Sequence, residues 1–120
     1  MSKEFEVSEG FMDIVKIMGR PVYYRLNADH TTEPATRQDG LQAFQGDRHV
    51  AKTEVGDASV STVFLVIDHQ FGDGPPILFE TMVFGGDRAD ENQWRYLTWD
   101  EAAAGHDAVV SALRDGTELP

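Results

Sequence analysis

At 120 residues, 41% hydrophobic and 10% aromatic, the chain has the composition of a folded rather than a disordered segment and is too short for two ordinary domains, so one domain with one core is expected. Twenty-one acidic residues against 10 basic ones leave a net charge of −11, which repels a phosphate backbone, argues against direct nucleic-acid binding and favours a partner with a basic surface. There is no cysteine, so disulfides and thiolate chemistry are excluded, and no apolar run approaches the roughly 20 residues of a membrane span.

The first residues, MSKEFEVSEGF, have neither the basic start nor the apolar stretch of a secretory signal, so the expected compartment is the cytoplasm. Residues 8–18 carry Phe11, Ile14, Val15 and Met18 at helical spacing behind Ser8 as a cap. This spacing predicts a short N-terminal helix, or alternatively an apolar arm that docks on another chain. Arg20-Pro21 breaks any helix, and the β-rich run at 22–26 predicts a strand that gives way to a loop through Asn27 and Asp29. Residues 31–46 show no sustained strand pattern. Thr36 is placed to cap a short helix turning Leu41 and Phe44 inward, which Gly40 weakens by about 1 kcal/mol relative to alanine. Residues 47–55 alternate charged and small apolar side chains, as an exposed edge strand does, and Gly56-Asp57 marks a turn.

Residues 59–86 hold two apolar runs, rich in β-branched and aromatic residues, on either side of a loop of Gly, Pro and Asp. They predict two neighbouring strands at the centre of a sheet. In the first, Val60, Thr62, Phe64, Val66 and Asp68 share one face and Ser61, Val63, Leu65, Ile67 and His69 the other; both are apolar in the middle, so cover is expected on both sides. The second, residues 77–84, is apolar except for Glu80. A short last strand follows at 94–97. Thr98 and Glu101 then have capping-box spacing before a helix to about residue 114, with Ala102, His106, Val109, Val110 and Leu113 on one stripe and Gly116 placed to end it. Strands first and helix last predict an α+β fold: an antiparallel sheet of about four to five strands, the C-terminal helix packed on one face, and the short N-terminal helix.

Chemistry has few places to sit. The loop from Asp68 to Pro76 is longer than a simple hairpin needs and contains His69 and Asp73, which invites a ligand or partner site, although Asp73-Gly74 and Pro75-Pro76 also read as plain turn chemistry. Glu80 on its apolar strand needs a partner, and Arg95 on the next strand is the expected one; a structural ion pair competes with the reading of a general base. His30, His69 and Glu80 could in principle supply metal ligands, but no ligand spacing is present and adjacent strand residues such as Asp68 and His69 point to opposite faces, so neither metal nor cofactor is expected. GxSxG, P-loop and GxGxxG motifs are absent. Trp94, Tyr96 and Trp99 read as filling between sheet and helix, or as partner anchors if exposed.

Ser61-Thr62, Asp68-His69, Gly74-Pro75-Pro76, the run Phe79-Glu80-Thr81-Met82-Val83-Phe84, and Gly105-His106 together carry a likeness. Across residues 22–113 the chain resembles a group of small proteins encoded by bacteriophages and prophages. The resemblance implies a phage setting in a bacterial cytoplasm and supplies no catalytic roles; the first twenty residues lie outside it. The leading expectation is therefore a non-enzymatic accessory protein that binds a host or phage macromolecule through its acidic surface. A small-ligand or hydrolytic site at the 68–76 loop is the alternative, and a structural homo-oligomer component is the third.

Overall fold

The computed structural model describes residues 20–88 and 93–120. The helix or arm expected around Phe11, Ile14, Val15 and Met18 lies outside the described residues.

The architecture is α+β. A small hairpin, β1 (Tyr24–Leu26) and β2 (Thr32–Pro34), precedes a short helix, α1 (Arg37–Phe44). A four-stranded antiparallel meander follows: β3 (His49–Val55), β4 (Ala58–Phe64), β5 (Phe79–Phe84) and β6 (Gln93–Tyr96), neighbours in sequence order. The last element, α2 (Trp99–Asp115), packs across the meander. Gly56, at φ 59°, makes the tight β3–β4 turn that the dipeptide predicts.

The β4–β5 pairing sets the core. Val60 faces Val83, Thr62 faces Thr81 and Phe64 faces Phe79, and all six are buried. With Ala58 they form the floor on which Ala102, His106, Val109, Val110 and Ala112 of α2 rest. Gly105 belongs to the same contact: a Cβ there would fall 2.3 Å from the Tyr96 hydroxyl. The helix thus touches β6 through bare backbone. Its start is capped as the sequence predicts, Thr98 Oγ1 accepting from the Glu101 amide at 3.1 Å while Glu101 Oε1 accepts from the Leu97 amide at 2.9 Å. Gly116 ends it in the left-handed region at φ 68°.

Three expectations are corrected. The first central strand stops at Phe64 rather than running to His69. Val66 adopts φ 72°, a conformation costly for a β-branched residue, and is fully buried in it. The Leu65 and His69 amides still donate to the consecutive carbonyls of Leu78 and Ile77, so residues 66–68 bulge out of the sheet. The bulge is used: Val66 accepts from the Tyr24 amide, and the Asp68 amide donates to the Val22 carbonyl. It is the seam that fastens the β1–β2 hairpin to the meander.

Cover on both faces of that strand is not observed either. Ser61 and Val63 are only half-buried, and among the described residues no helix packs on their side of the sheet. The apolar Ile67, which suggested a second covered face, lies in the bulge and packs with the Tyr23, Tyr24 and Phe64 cluster instead.

In α1, Thr36 caps as expected, accepting from the Asp39 amide at 3.1 Å. But Leu41 and Phe44 are 42% and 39% exposed, and the inward residue is Gly40. A Cβ at Gly40 would lie 2.3 Å from the Tyr23 ring, so the helix presents its smallest residue to make room for a tyrosine. The strand β2, absent from the expectations, is three residues long and contains a proline; it is defined by its pairing with β1 and by the Arg25–Glu33 ion pair at 3.1 Å, not by any pattern of its own.

Candidate functional site

The 68–76 loop is built around a buried carboxylate. Asp68 Oδ1 accepts from the Gln70 amide at 2.7 Å and the Ile77 amide at 3.0 Å, and Oδ2 accepts from Arg20 Nη2 at 2.7 Å. The other Arg20 nitrogen donates to the Gly74 carbonyl at 2.9 Å, so one guanidinium spans the loop from side to side. The hydrogen bond it donates to Asp68 holds the Arg20 guanidinium still more firmly charged than usual. Inside this frame the Gln70 amide group accepts from the Gly72 amide, and no Cβ fits at Gly74 without meeting it. With its oxygens spent on backbone amides and an arginine, Asp68 acts as the keystone of the loop.

His69 is half-buried beside it. Its Nδ1 lies 2.7 Å from the Ile67 carbonyl, an acceptor, so Nδ1 carries the proton and Nε2 is left as the basic atom. Asp73 is exposed at the loop tip and forms no ion pair among the described residues. Glu80 and Arg95 face each other across β5 and β6 and are joined at 3.0 Å, the pairing expected from the sequence; Glu80 is 13% exposed and Arg95 42%. Among the described residues no hydrogen bond or ion pair joins Glu80 to the loop. The five expected site residues therefore form two separate groups, one on the bulge side of the sheet and one on its open face.

Two arrangements were not anticipated. The first is a surface cleft of about 310 Å³ between the β1–β2 turn and the start of α2, lined by Asp29, His30, Thr31, Thr32, Thr98, Trp99 and Asp100. His30 takes φ 72°, and its ring lies flat on the Trp99 indole, with centroids 3.6 Å apart and planes 12° from parallel. Trp99 in turn meets the edge of Phe79, so the stack is anchored to the core. Asp29 accepts from both the amide and the hydroxyl of Thr31, which lowers its pKa below the ordinary carboxylate value and keeps it ionised. Asp100, in the first turn of α2, is exposed and forms no ion pair among the described residues. The sequence offered one signal for this cleft, the Asp29-His30 dipeptide, but nothing in it joins that turn to Trp99.

The second is a line of polar side chains beneath α2. His106 is 2% exposed; its Nδ1 lies 2.8 Å from Thr62 Oγ1 and its Nε2 2.8 Å from Thr53 Oγ1. Thr62 Oγ1 lies 2.5 Å from Thr81 Oγ1, which accepts from the Tyr96 hydroxyl at 3.1 Å. The line crosses all four strands of the meander. Burial lowers the His106 pKa below the usual imidazole value, with the neighbouring Asp107 opposing, and burial raises that of Tyr96.

Among the described residues no group of three or more His, Asp or Glu side chains is placed to hold a metal ion, and no helix is long and apolar enough to cross a membrane. Comparison with protein-family models, curated proteins and solved structures finds no match to this chain.

Proposed function

We propose that this chain is a non-enzymatic accessory protein of the phage type that binds a basic surface on a host protein. The observation that carries the reading is how the polar groups are spent. Asp68 is committed to Arg20 and two amides, Glu80 to Arg95, and His106 to two threonines, while Asp29 and Asp100 line an open cleft in a chain of net charge −11. Groups tied into the fold are poor acid–base catalysts; ionised carboxylates beside a flat aromatic stack suit a lysine or arginine head whose stem lies along the rings. The resemblance to phage-encoded proteins supports a partner in the bacterial cytoplasm.

Affinity capture from a bacterial lysate tests the reading. It predicts a basic protein retained at ~150 mM salt and released as salt approaches ~1 M, where the Debye length falls to about 3 Å. The double variant Asp29→Asn with Asp100→Asn should bind that protein several-fold more weakly while keeping its fold, as read by its circular dichroism spectrum, since both groups lie at the surface. Recovery of no partner at the lower salt, or capture indifferent to salt and to both aspartates, defeats it.

A further inference from the structure

The line Thr53, His106, Thr62, Thr81, Tyr96 has a direction, fixed by counting protons. Tyr96 donates to Thr81, so the Thr81 hydrogen passes to Thr62 and the Thr62 hydrogen to His106 Nδ1. Nδ1 is then the acceptor, and the single proton of the neutral ring sits on Nε2, donated to Thr53. Each of the four links holds one proton. The spare donor is the Thr53 hydroxyl, which is half-buried on the edge strand β3.

A second proton on the ring breaks this order. Both nitrogens then donate, so Thr62, Thr81 and Tyr96 must all turn round, and while the spare donor of Thr53 remains, a second one appears at Tyr96. That hydroxyl lies against the α2 backbone at Gly105. Among the described residues the new charge also finds no buried counter-ion. On α2 the nearest acid is Asp107, which is exposed. On the sheet, Lys52 and Glu54 alternate with Thr53 and so project from the other face, as do Glu80 and Arg95, which flank Thr81 and Tyr96 in sequence; β4 contributes no titratable group. Tyr96, which ends the line, is the other titratable group in it, and it is neutral below its raised pKa.

We propose that this hydrogen-bonded line is an acid-operated latch, which holds α2 on the meander while His106 is neutral and releases the helix when His106 takes up a proton. The sign follows from linkage. The imidazole binds protons less readily in the docked state than in the open one, so opening is proton-coupled. The docked state is fully favoured above the open-state value of ~6.5 and weakens by up to about tenfold per pH unit below it, until the docked ring itself titrates. The partner, if the preceding proposal holds, is not required for this.

Hydrogen exchange on the full chain at ~pH 7.5 and ~pH 5.5, corrected for intrinsic rates, reads the latch directly. Amides 102–113 should lose protection by up to about tenfold over the lower unit of this range, the β3–β4 hairpin should keep its own, and the His106 ring should titrate below ~6.5 by NMR. The variant His106→Gln, which keeps an amide able to donate and accept but cannot charge, should show no such loss. Parallel loss in variant and wild type overturns the proposal, as does melting of helix and hairpin together at one pH. If His106→Gln does not fold, wild type alone decides: α2 protection that stays constant while the ring titrates also overturns it.

Discussion

Asp68 has the outward marks of a catalytic group, an acid beside a histidine in a long loop, and its geometry argues the opposite. A carboxylate that accepts two amides and a guanidinium is spent on holding the loop closed. Replacing it by alanine takes the acceptor from the Ile77 and Gln70 amides and from Arg20 Nη2, which leaves Arg20 only the Gly74 carbonyl, in a site where Asp68 is 7% exposed. The expected loss is about 2 kcal/mol of unfolding free energy, measurable by urea titration, because unmatched polar groups cost more than the hydrogen bond itself is worth. A variant as stable as wild type would show that water replaces the carboxylate without loss. His69 differs, since its ring bonds to a local carbonyl through Nδ1 and among the described residues Nε2 has no hydrogen bond.

Between elements, the docking of α2 on the sheet turns on a residue with no side chain. Helix propensity favours Ala over Gly by about 1 kcal/mol, so Gly105→Ala would stabilise an isolated helix. Here the added methyl falls 2.3–2.4 Å from the Tyr96 ring and hydroxyl. Overpacking of a close contact costs typically 1–3 kcal/mol, so the clash wins and the variant should melt at a lower temperature than wild type. Pairing Gly105→Ala with Tyr96→Leu, which removes the ring, should recover part of the loss; no recovery would place the cost elsewhere. The same logic explains α1, where Gly40 is turned inward because Tyr23 occupies the space a side chain would need.

Over the whole molecule, net charge −11 is a repulsion that the fold carries at neutral pH. Few ion pairs relieve it: among the described residues Arg20–Asp68, Arg25–Glu33 and Arg95–Glu80 lie at 2.7–3.1 Å and Arg25–Asp39 at 3.7 Å, and both pairs of Arg25 are exposed on each side. Raising salt from ~10 mM to ~150 mM shortens the screening length from about 30 Å to 8 Å, so the melting temperature should rise, by a few degrees in differential scanning calorimetry. A melting temperature that fell over this range would mean that the attractive pairs outweigh the general repulsion.

The sequence by itself determined the elements whose signals are local. The capped α2 with Gly116 at its end, the Gly56 turn, the edge strand β3 and the Thr36 cap were legible because spacing of two, three or four residues fixes cap, turn and face, and the Glu80–Arg95 pairing because a carboxylate on an apolar strand needs a cation and the next strand carries one. Only the tertiary structure decided what depends on contacts between distant segments. The bulge at Val66, the hairpin it fastens, the inward Gly40, the His30–Trp99 stack and the polar line through His106 each join residues that no short-range period relates. In every one the chain accepts a locally unfavourable choice, a left-handed valine, a helical glycine or a buried histidine, because a partner far along the sequence makes it the lowest-energy arrangement available.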